Sequence, residues 1–560
     1  MSPSNIDVLV VGAGPTGLVA ALTLAKNGIP VRIIEKLSQY SLGQRGAGIM
    51  PRTLEVYHFL GVLEDVKKMG VSKSNMKEWK DGKPFKTYAM MTSLDPTPTF
   101  PERRPCHLGQ DAACGILREH LKVYGIEVEL ATELVRLKQD EDSVTATVVK
   151  QQDGKEIEDT ITAKYVVGAD GAKGVVRKLL DLTFLGETLD AVHIIIGDAK
   201  VYGLDQDYWH KFGDGPSDGA ILRPTHRYAE DIYFFAIFGP NLDYDRAVKD
   251  HEYFRQFIYN VAKVPELKIG EVETISNYRP NIRVVNSFRK GRVFIAGDAA
   301  HVHSATGGQG MNSSVMDAFN LSWKLALAIR GLASPSLLDS YDTERLPVIK
   351  EMLQRTTAIL NRTFTTENGK STPVAPTDKD VESPWTRSTQ LNQLGVHYRW
   401  SPIVVDEAVD ELESKDKGKA EELTASTYVA EEGGRLHAGD RAPDAPGLVD
   451  LNTGNTTRLF DTFGPDHHTL LVFTDGNPAS ALGPLARIPK GLVRTVALRS
   501  QGAAPAEVAS GVDLVLQDKE GYAYPAYGAH VAIVRPDGVV GALVGDAEGI
   551  EKYFARVFAL

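Results

Sequence analysis

The segment Ile6–Lys36, IDVLVVGAGPTGLVAALTLAKNGIPVRIIEK, opens with an apolar run, Val8 to Val11, and then turns abruptly to glycine. A short run without polar alternation reads as a strand buried on both faces. Gly12-x-Gly14-x-x-Gly17 follows at once, Leu18, Ala21, Leu22 and Ala25 recur at helical spacing, and Gly28 closes the helix. Val31 to Ile34 give a second strand that ends on Glu35. The three glycines serve different ends. Gly12 permits the tight turn, Gly14 lets the backbone approach a pyrophosphate, and Gly17 lets helix and strand pack closely. The helix N-terminus offers free N–H groups to phosphate oxygens. Glycine spacing alone is a weak signal; strand, helix and acid in register read as a dinucleotide site. Glu35 suits a free ribose 2′-hydroxyl, hence NAD or FAD in this pocket and not NADP.

A chain of 560 residues exceeds one compact core, so two to four domains are expected. The formal net charge of −11, with no long basic run, argues against a nucleic-acid partner. Only two cysteines occur, Cys106 and Cys114; they exclude a disulfide framework and a cysteine zinc site, and they fit a reducing, cytoplasmic setting. The uncharged run Val8 to Ala25 resembles a membrane anchor in composition, but its early glycines and proline fit a strand–turn–helix better, so no stable membrane insertion is expected.

Two further elements repeat the strand–turn–helix plan. In AKYVVGADGAKGVVRKLL, Ala163–Leu180, Tyr165 to Gly168 read as a strand, Asp170-Gly171 as a turn, and Val175 onward as a helix. In GRVFIAGDAAHVHSATGGQGMNSSVMDAFNLSWKLA, Gly291–Ala326, a strand over Val293 to Ala296 runs into Gly297-Asp298, then a loop with Gly307, Gly308 and Gly310, then a helix from about Met311. The start of that helix favours negative charge. His301 and His303 have no third ligand pattern beside them and read as structural residues or neighbours of the ligand.

Taken in this order, the three elements resemble the FAD-dependent aromatic hydroxylases, the single-component flavin monooxygenases typified by para-hydroxybenzoate hydroxylase and phenol hydroxylase, with the phenol hydroxylase branch nearest. The resemblance continues through GQRGAGIMPRTLEVYHFLGVLE (Gly43–Glu64), LGQDAACGILREHL around Gln110, FLGET (Phe184–Thr188), LLDSYDTERLPV (Leu337–Val348), LGVHYRWSPIV (Leu394–Val404) and AGDRAPDAPGLVD (Ala438–Asp450). It departs at Ser304-Ala305, where the family often has two prolines, and at Cys114, where it usually has an acid.

The resemblance implies an α/β and α+β protein: a Rossmann-like FAD-binding domain with an inserted, mainly antiparallel substrate-binding sheet, and a thioredoxin-like C-terminal α/β domain. The expected boundaries are 1–188 and 289–364 for the FAD-binding parts, 189–288 for the inserted sheet, 365–436 for a polar linker with a surface helix, and 437–560 for the C-terminal domain. That last region has no cysteine, which excludes thiol redox chemistry and leaves packing and homodimer contacts as its expected roles. His467-His468 reads as a loop pair.

By the same resemblance, Gly12, Gly14, Gly17 and Glu35 hold the ADP half of FAD, Arg45 and Gln110 meet the ribityl–pyrophosphate stretch, and Asp298 bonds the ribitol. Asp170 joins this cofactor-binding set, and Gly308, Gln309, Gly310, Met311 and Asn312 bring backbone N–H groups to the isoalloxazine edge. One nucleotide fingerprint, no cysteine pair and no Trp-x-Trp motif leave the class that binds NADPH or NADH transiently. The implied reaction takes O2 and a small aromatic substrate, phenolic or polyketide-like, and inserts oxygen through a C4a-hydroperoxyflavin. Epoxidation, oxidative decarboxylation of a hydroxybenzoate and Baeyer–Villiger-type insertion remain open as alternatives on the same flavin, and a non-catalytic flavin-binding protein is the third reading. A phenol needs a base or cation near its oxygen. Tyr278 and Arg283 are the catalytic candidates, with packing and surface roles as their alternative. Tyr233 and Phe235 are candidates for the pocket wall, with core packing as theirs.

Overall fold

The computed structural model describes residues 6–72, 75–90, 94–152, 154–188, 192–213, 218–304, 307–367, 370–373, 389–430, 434–503 and 511–559. Strand Ile6–Val11 lies inside a parallel sheet, between Val31–Ile34 and Lys155–Gly168, with Val128–Glu129 and Val293–Ile295 further out. Its Val8, Leu9 and Val10 have no solvent exposure, as the unbroken apolar run requires. Val11 pairs with Ile34 and with Gly168, and Gly168 pairs with Ile295, so four strands end along one edge. Gly12, Glu35, Asp170 and Asp298 follow those ends. In an open parallel sheet the ligand crevice lies outside the carboxyl ends of the strands.

A second sheet has the order Lys268–Tyr278, Ile194–Tyr202, Ile232–Phe238, Gly219–Pro224, Trp209–Phe212, Asn75–Lys80, Lys83–Ala89. It is antiparallel except where Trp209–Phe212 meets Asn75–Lys80. The inserted sheet therefore draws two strands from within 1–188. They form a hairpin whose turn, Asp81-Gly82, has both residues at positive φ, 49° and 75°. Helices Tyr244–Lys249 and His251–Ala262 cover one face; Asp243 and Asp250 cap them by accepting backbone N–H bonds. The longer helix buries Phe254, Phe257, Ile258 and Ala262, an amphipathic spacing, against Ile195, Phe235 and Ile237 of the sheet.

The C-terminal sheet has the order Val405–Asp406, Val540–Val544, Val531–Val534, His468–Phe473, Val493–Arg499, Leu514–Asp518, Leu448–Asp450, Thr456–Thr457. Its three central strands from His468 to Asp518 are parallel, and Val531–Val534 and Val540–Val544 return antiparallel. Val405–Asp406 joins its edge, so the sheet begins inside the 365–436 segment. Glu407–Lys415 is the surface helix of that segment and buries no residue. His468 starts a strand and does not sit in a loop: it is buried among Trp323, Tyr553, Phe554 and Phe558. Burial in that aromatic box holds its imidazole down at about 3. Trp323 and Leu327 of helix Gly310–Ile329 share one apolar core with this sheet, so the C-terminal unit is packed onto the nucleotide-binding part.

Both cysteines are free and buried, and burial pushes the Cys106 thiol to about 11 and the Cys114 thiol to about 12. Among the described residues no helix is long and apolar enough to cross a membrane.

Candidate active site

One cavity of about 930 Å³ runs from the ends of the parallel strands to the uncovered face of the second sheet. At the nucleotide end the three glycines behave differently. A side chain on Gly12, where φ is +102°, would meet the Ala169 carbonyl oxygen at 2.4 Å, and one on Gly17 would meet the Gly12 carbonyl at 1.9 Å. A Cβ on Gly14 would meet nothing within 4 Å, because it would project into the cavity. Gly12 and Gly17 thus build the turn, and Gly14 keeps its floor open for a ligand. The Glu35 carboxylate accepts from Ala13 N–H at 3.0 Å and from Leu37 N–H at 3.1 Å, which holds it at the second strand's tip. Lys36, Arg45 and Arg118 line the same end, and Arg118 lies 3.7 Å over the Tyr40 ring. Cations beside a helix N-terminus make a setting for a pyrophosphate.

Further along, Asp170 accepts from Val176 N–H at 3.0 Å through one oxygen, while its other, buried oxygen has no hydrogen-bond partner among the described residues. Burial raises this carboxyl above its ordinary range. Asp298 is exposed to the cavity but enclosed by protein on its other sides, which raises its carboxyl too. Gln110 opens helix Gln110–Lys122, and its N–H donates to the Gln44 carbonyl at 3.2 Å. Gly308, Gly310 and Met311 line the cavity where helix Gly310–Ile329 begins, and the first N–H groups of that helix lack intrahelical acceptors. The side chains of Gln309 and Asn312 are engaged elsewhere. Gln309 donates to the Gly307 and Leu391 carbonyls, each at 3.0 Å, and Asn312 bridges Met50 N–H with the Gly48 and Gly308 carbonyls, each at 2.8 Å. They shape the loop so that its backbone can meet a ligand. An open glycine floor, an orphaned carboxylate oxygen and a free helix start fit FAD.

His301 lies behind this loop. Its Nε2 is 2.6 Å from Asp317, which also accepts from Arg345 Nε at 2.8 Å, and all three are buried. His303 lines the cavity and its Nδ1 lies 2.5 Å from the Ser304 carbonyl. Burial lowers its imidazole to about 4, so it is neutral near pH 7. No cluster of three metal-binding side chains occurs among the described residues. Ala305, at the expected departure from the family's proline pair, lies outside the described residues.

The other end of the cavity is a sheet face read every second residue: Ile194 and Ile196; Ile221 and Arg223; Phe234, Ala236 and Phe238; Ser276 and Tyr278. Tyr233 and Phe235 project from the opposite face. The Tyr233 hydroxyl donates to the Leu204 and Asp205 carbonyls, and Phe235 packs 4.5 Å from the Phe254 ring. The core alternative therefore holds for both, and their neighbours line the wall. Tyr278 reaches the cavity and its hydroxyl donates to the His303 carbonyl at 3.3 Å. Arg283 is not among the lining residues: its guanidinium donates to Asn281 Oδ1 at 2.9 Å and to the Phe184 carbonyl at 3.3 Å. This corrects its expected place at the ring to that of a brace between strands Asn281–Val285 and Phe184–Thr188. Arg223 and Arg279 are the arginines that do line this end, and the sequence pattern singled out neither.

A family described as “FAD binding domain” matches residues 5–356, more than half of the chain. The chain belongs to this FAD-binding family. Similar proteins include a flavin-dependent monooxygenase of Mycobacteroides abscessus, 31% identical across 99% of this chain and 100% of the relative. The pentachlorophenol 4-monooxygenase of Sphingobium chlorophenolicum is 28% identical across 97% of this chain and 94% of the relative. Among solved structures, aklavinone-11 hydroxylase in ternary complex with FAD and aklavinone is 26% identical, covers 99% of both chains and has a TM-score of 0.75. This chain is accordingly a member of the FAD-dependent aromatic hydroxylases, a flavin monooxygenase with NAD(P)H as electron donor.

Proposed function

We propose that this monooxygenase hydroxylates a multi-ring, polyketide-like phenol with O2, at the junction between the glycine-floored end of the cavity and its apolar sheet face. The single observation that carries this reading is the continuity of the cavity. The same 930 Å³ space touches Gly14, Asp298 and Gly310 at one end and Ile196, Phe234 and Phe238 at the other. With FAD in the glycine-floored end, the part of that space left to a substrate is walled by Ile196, Phe234, Ala236 and Phe238, an apolar face suited to flat aromatic rings.

Gly12, Gly14, Glu35, Arg45, Gln110, Asp170 and Asp298 would hold FAD along its length, with Gly17 keeping the turn closed and the backbone of Gly308 to Asn312 at its ring. Bound FAD supplies the hydride-accepting and oxygen-activating chemistry. The chain's own residues orient the aromatic ring and exclude water. Tyr278 is the phenol-orienting residue in this reading: it lines the cavity with its hydroxyl donating to the His303 carbonyl, and the oxygen of that hydroxyl can accept a hydrogen bond from the phenol. The buried, unreactive thiols support a reducing, cytoplasmic setting. We read the C-terminal sheet, whose parallel strands are followed by an antiparallel pair, as thioredoxin-like, and a homodimer contact is the role we propose for it.

The test is anaerobic flavin bleaching by NADPH and by NADH, with one-, two- and three-ring phenols and with none. Much faster bleaching with a multi-ring phenol, followed in air by a product one oxygen heavier, supports the reading. Equal bleaching with and without phenol, or a product that has lost CO2 or gained a ring oxygen, favours the alternative insertions.

A further inference from the structure

Gln393 is buried in a left-handed backbone conformation, φ +63°, just after the short 3-10 helix Thr389–Asn392. It lies beyond residues 5–356, the stretch matched to the FAD-binding family, yet its side chain reaches the loop that opens helix Gly310–Ile329. Its Nε2 donates to Gln309 Oε1 at 2.8 Å and to Ser313 Oγ at 3.0 Å, and all three residues are buried. The order of atoms in this contact is fixed. Gln309 Nε2 is committed to the Gly307 and Leu391 carbonyls, so its Oε1 is left to accept, and Gln393 has to present its amide nitrogen.

The pairing is held against local preference. A residue other than glycine rarely takes positive φ, and Gln393 Oε1 is buried with no hydrogen-bond partner among the described residues. Strain of that kind persists where the surroundings over-determine it. The loop it serves is itself unusual: Gly307 and Gly308 have φ of +88° and +65°. Gly308 and Gly310 line the cavity, while Gln309 between them turns its side chain away to Gln393. Asn312 fastens the same loop to Gly48 and Met50. Behind Gln393 the chain is tied down in turn: Tyr398 N–H donates to the Gly439 carbonyl at 2.8 Å, and its hydroxyl accepts from Arg345 at 2.8 Å. The loop is thus gripped between the nucleotide-binding part and the segment that leads to the C-terminal sheet.

We propose that Gln393 is a positioning residue for the flavin: by holding Gln309 and Ser313 it fixes the backbone of residues 307–312 where its N–H groups meet the ring edge. This rests on the reading above that the backbone of Gly308 to Asn312 lies at the FAD ring, and adds to it a residue from outside the FAD-binding stretch. Gln393 is not among the residues that line the cavity, so it acts through Gln309. N–H groups held at the ring edge favour the reduced, negatively charged flavin, so loosening them weakens FAD binding and makes the flavin harder to reduce.

The test uses the full chain with Gln393→Asn and Gln393→Gly. Both residues suit a left-handed backbone; Asn stops one methylene short of Gln309, and Gly has no side chain. Each variant gives up two hydrogen bonds but also the orphaned Oε1, so the Tm of the FAD-free protein is expected to stay near wild type. The Kd for FAD, read from flavin fluorescence, is expected to rise about tenfold in both, and the midpoint potential of the bound flavin to fall. Hydrogen exchange of a peptide covering residues 307–316 is read alongside: FAD should slow its exchange in wild type, and less so in the variants. Variants that keep the wild-type Kd, potential and protection overturn the inference alone, and so does a fall in Tm with no change in potential, which marks a merely structural residue. A wild-type peptide that FAD leaves unprotected overturns the placement of the flavin ring beneath it as well.

Discussion

Glu344 and Arg535 stand 191 residues apart in sequence and meet through two hydrogen bonds of 2.7 and 2.9 Å, both side chains fully buried. Helix Ser340–Thr363 is thereby bonded to the C-terminal sheet. Lys324, Asn320 and Ser401 also donate to Glu344, and Asp537 accepts from Arg535. Burial works to raise the Glu344 carboxyl, but Arg535 and Lys324 outweigh it and hold it far below the usual carboxylate range. Removing one partner of such a set leaves uncompensated buried charge. Arg535→Met is expected to destabilise the protein by about 3–5 kcal/mol, and Glu344→Gln/Arg535→Met by less than the sum of its parts. Thermal unfolding of the single and double variants measures both, and full additivity would show that the pair is not coupled.

The fingerprint glycines separate stability from cofactor binding. Gly17→Ala places a methyl 1.9 Å from the Gly12 carbonyl, so the helix must move off the strand. Its cost is expected at about 1–3 kcal/mol or more, seen as a lowered Tm in the FAD-free protein. Gly14→Ala meets nothing in the free chain. It should leave that Tm unchanged and weaken FAD binding about tenfold or more, by closing the floor under the pyrophosphate. Equal effects of the two substitutions on Tm would contradict the assignment of Gly14 to the ligand side.

What could be read ahead of the structure divides by range. The nucleotide end is local: turn, helix and acid lie within Gly12 to Glu35, and each sits where its spacing puts it. The substrate end depends on which way each strand faces, and Ile232–Phe238, IYFFAIF, carries no polar residue to mark its outer side except Tyr233. Without alternation the parity is invisible, and a one-residue shift exchanges Phe235 for Phe234. Arg283 failed for a similar reason: charge on a strand does not say which neighbour it braces. Arg223 left a signal in AILRP, a buried apolar strand with one cation sharing the face of Ile221. Asp81-Gly82, a hairpin dipeptide between WK and KP, was the mark of the two strands that the sheet borrows from the N-terminal segment.

The parity itself is testable by a neighbouring pair. Phe235 has no exposure and packs against Phe254, whereas Phe234 lines the cavity beside Arg223. Phe235→Ala is expected to cost about 3–5 kcal/mol of stability by opening a void in the core. Phe234→Ala should cost much less and shift substrate affinity and KM. Denaturant unfolding and flavin-perturbation titrations on both variants decide it, and a reversed pattern would mean that the strand faces the other way.

Acid stability should depend on Glu351, a residue remote from the cavity. Its carboxylate accepts from Thr427 N–H at 2.6 Å and from the Ser426 and Thr427 hydroxyls at 2.8 Å each, and Arg355 donates to it at 2.8 Å. Helix Ser340–Thr363 is thus tied to the chain that leads toward the C-terminal sheet. Burial works to raise this carboxyl, but the four donors prevail and lower it to about 2. An unfolded glutamate titrates near 4.3. Above that pH both states are ionised and the bonds contribute in full; as pH falls toward 2 the unfolded chain takes up the proton first and the contribution is lost. With allowance for solvent screening of this half-exposed group, the loss is about 1 kcal/mol. Glu351→Gln should flatten the fall in stability between pH 5 and 2.5 by that amount, as read by urea unfolding at fixed salt. An unchanged slope would mean that other carboxylates carry the acid sensitivity.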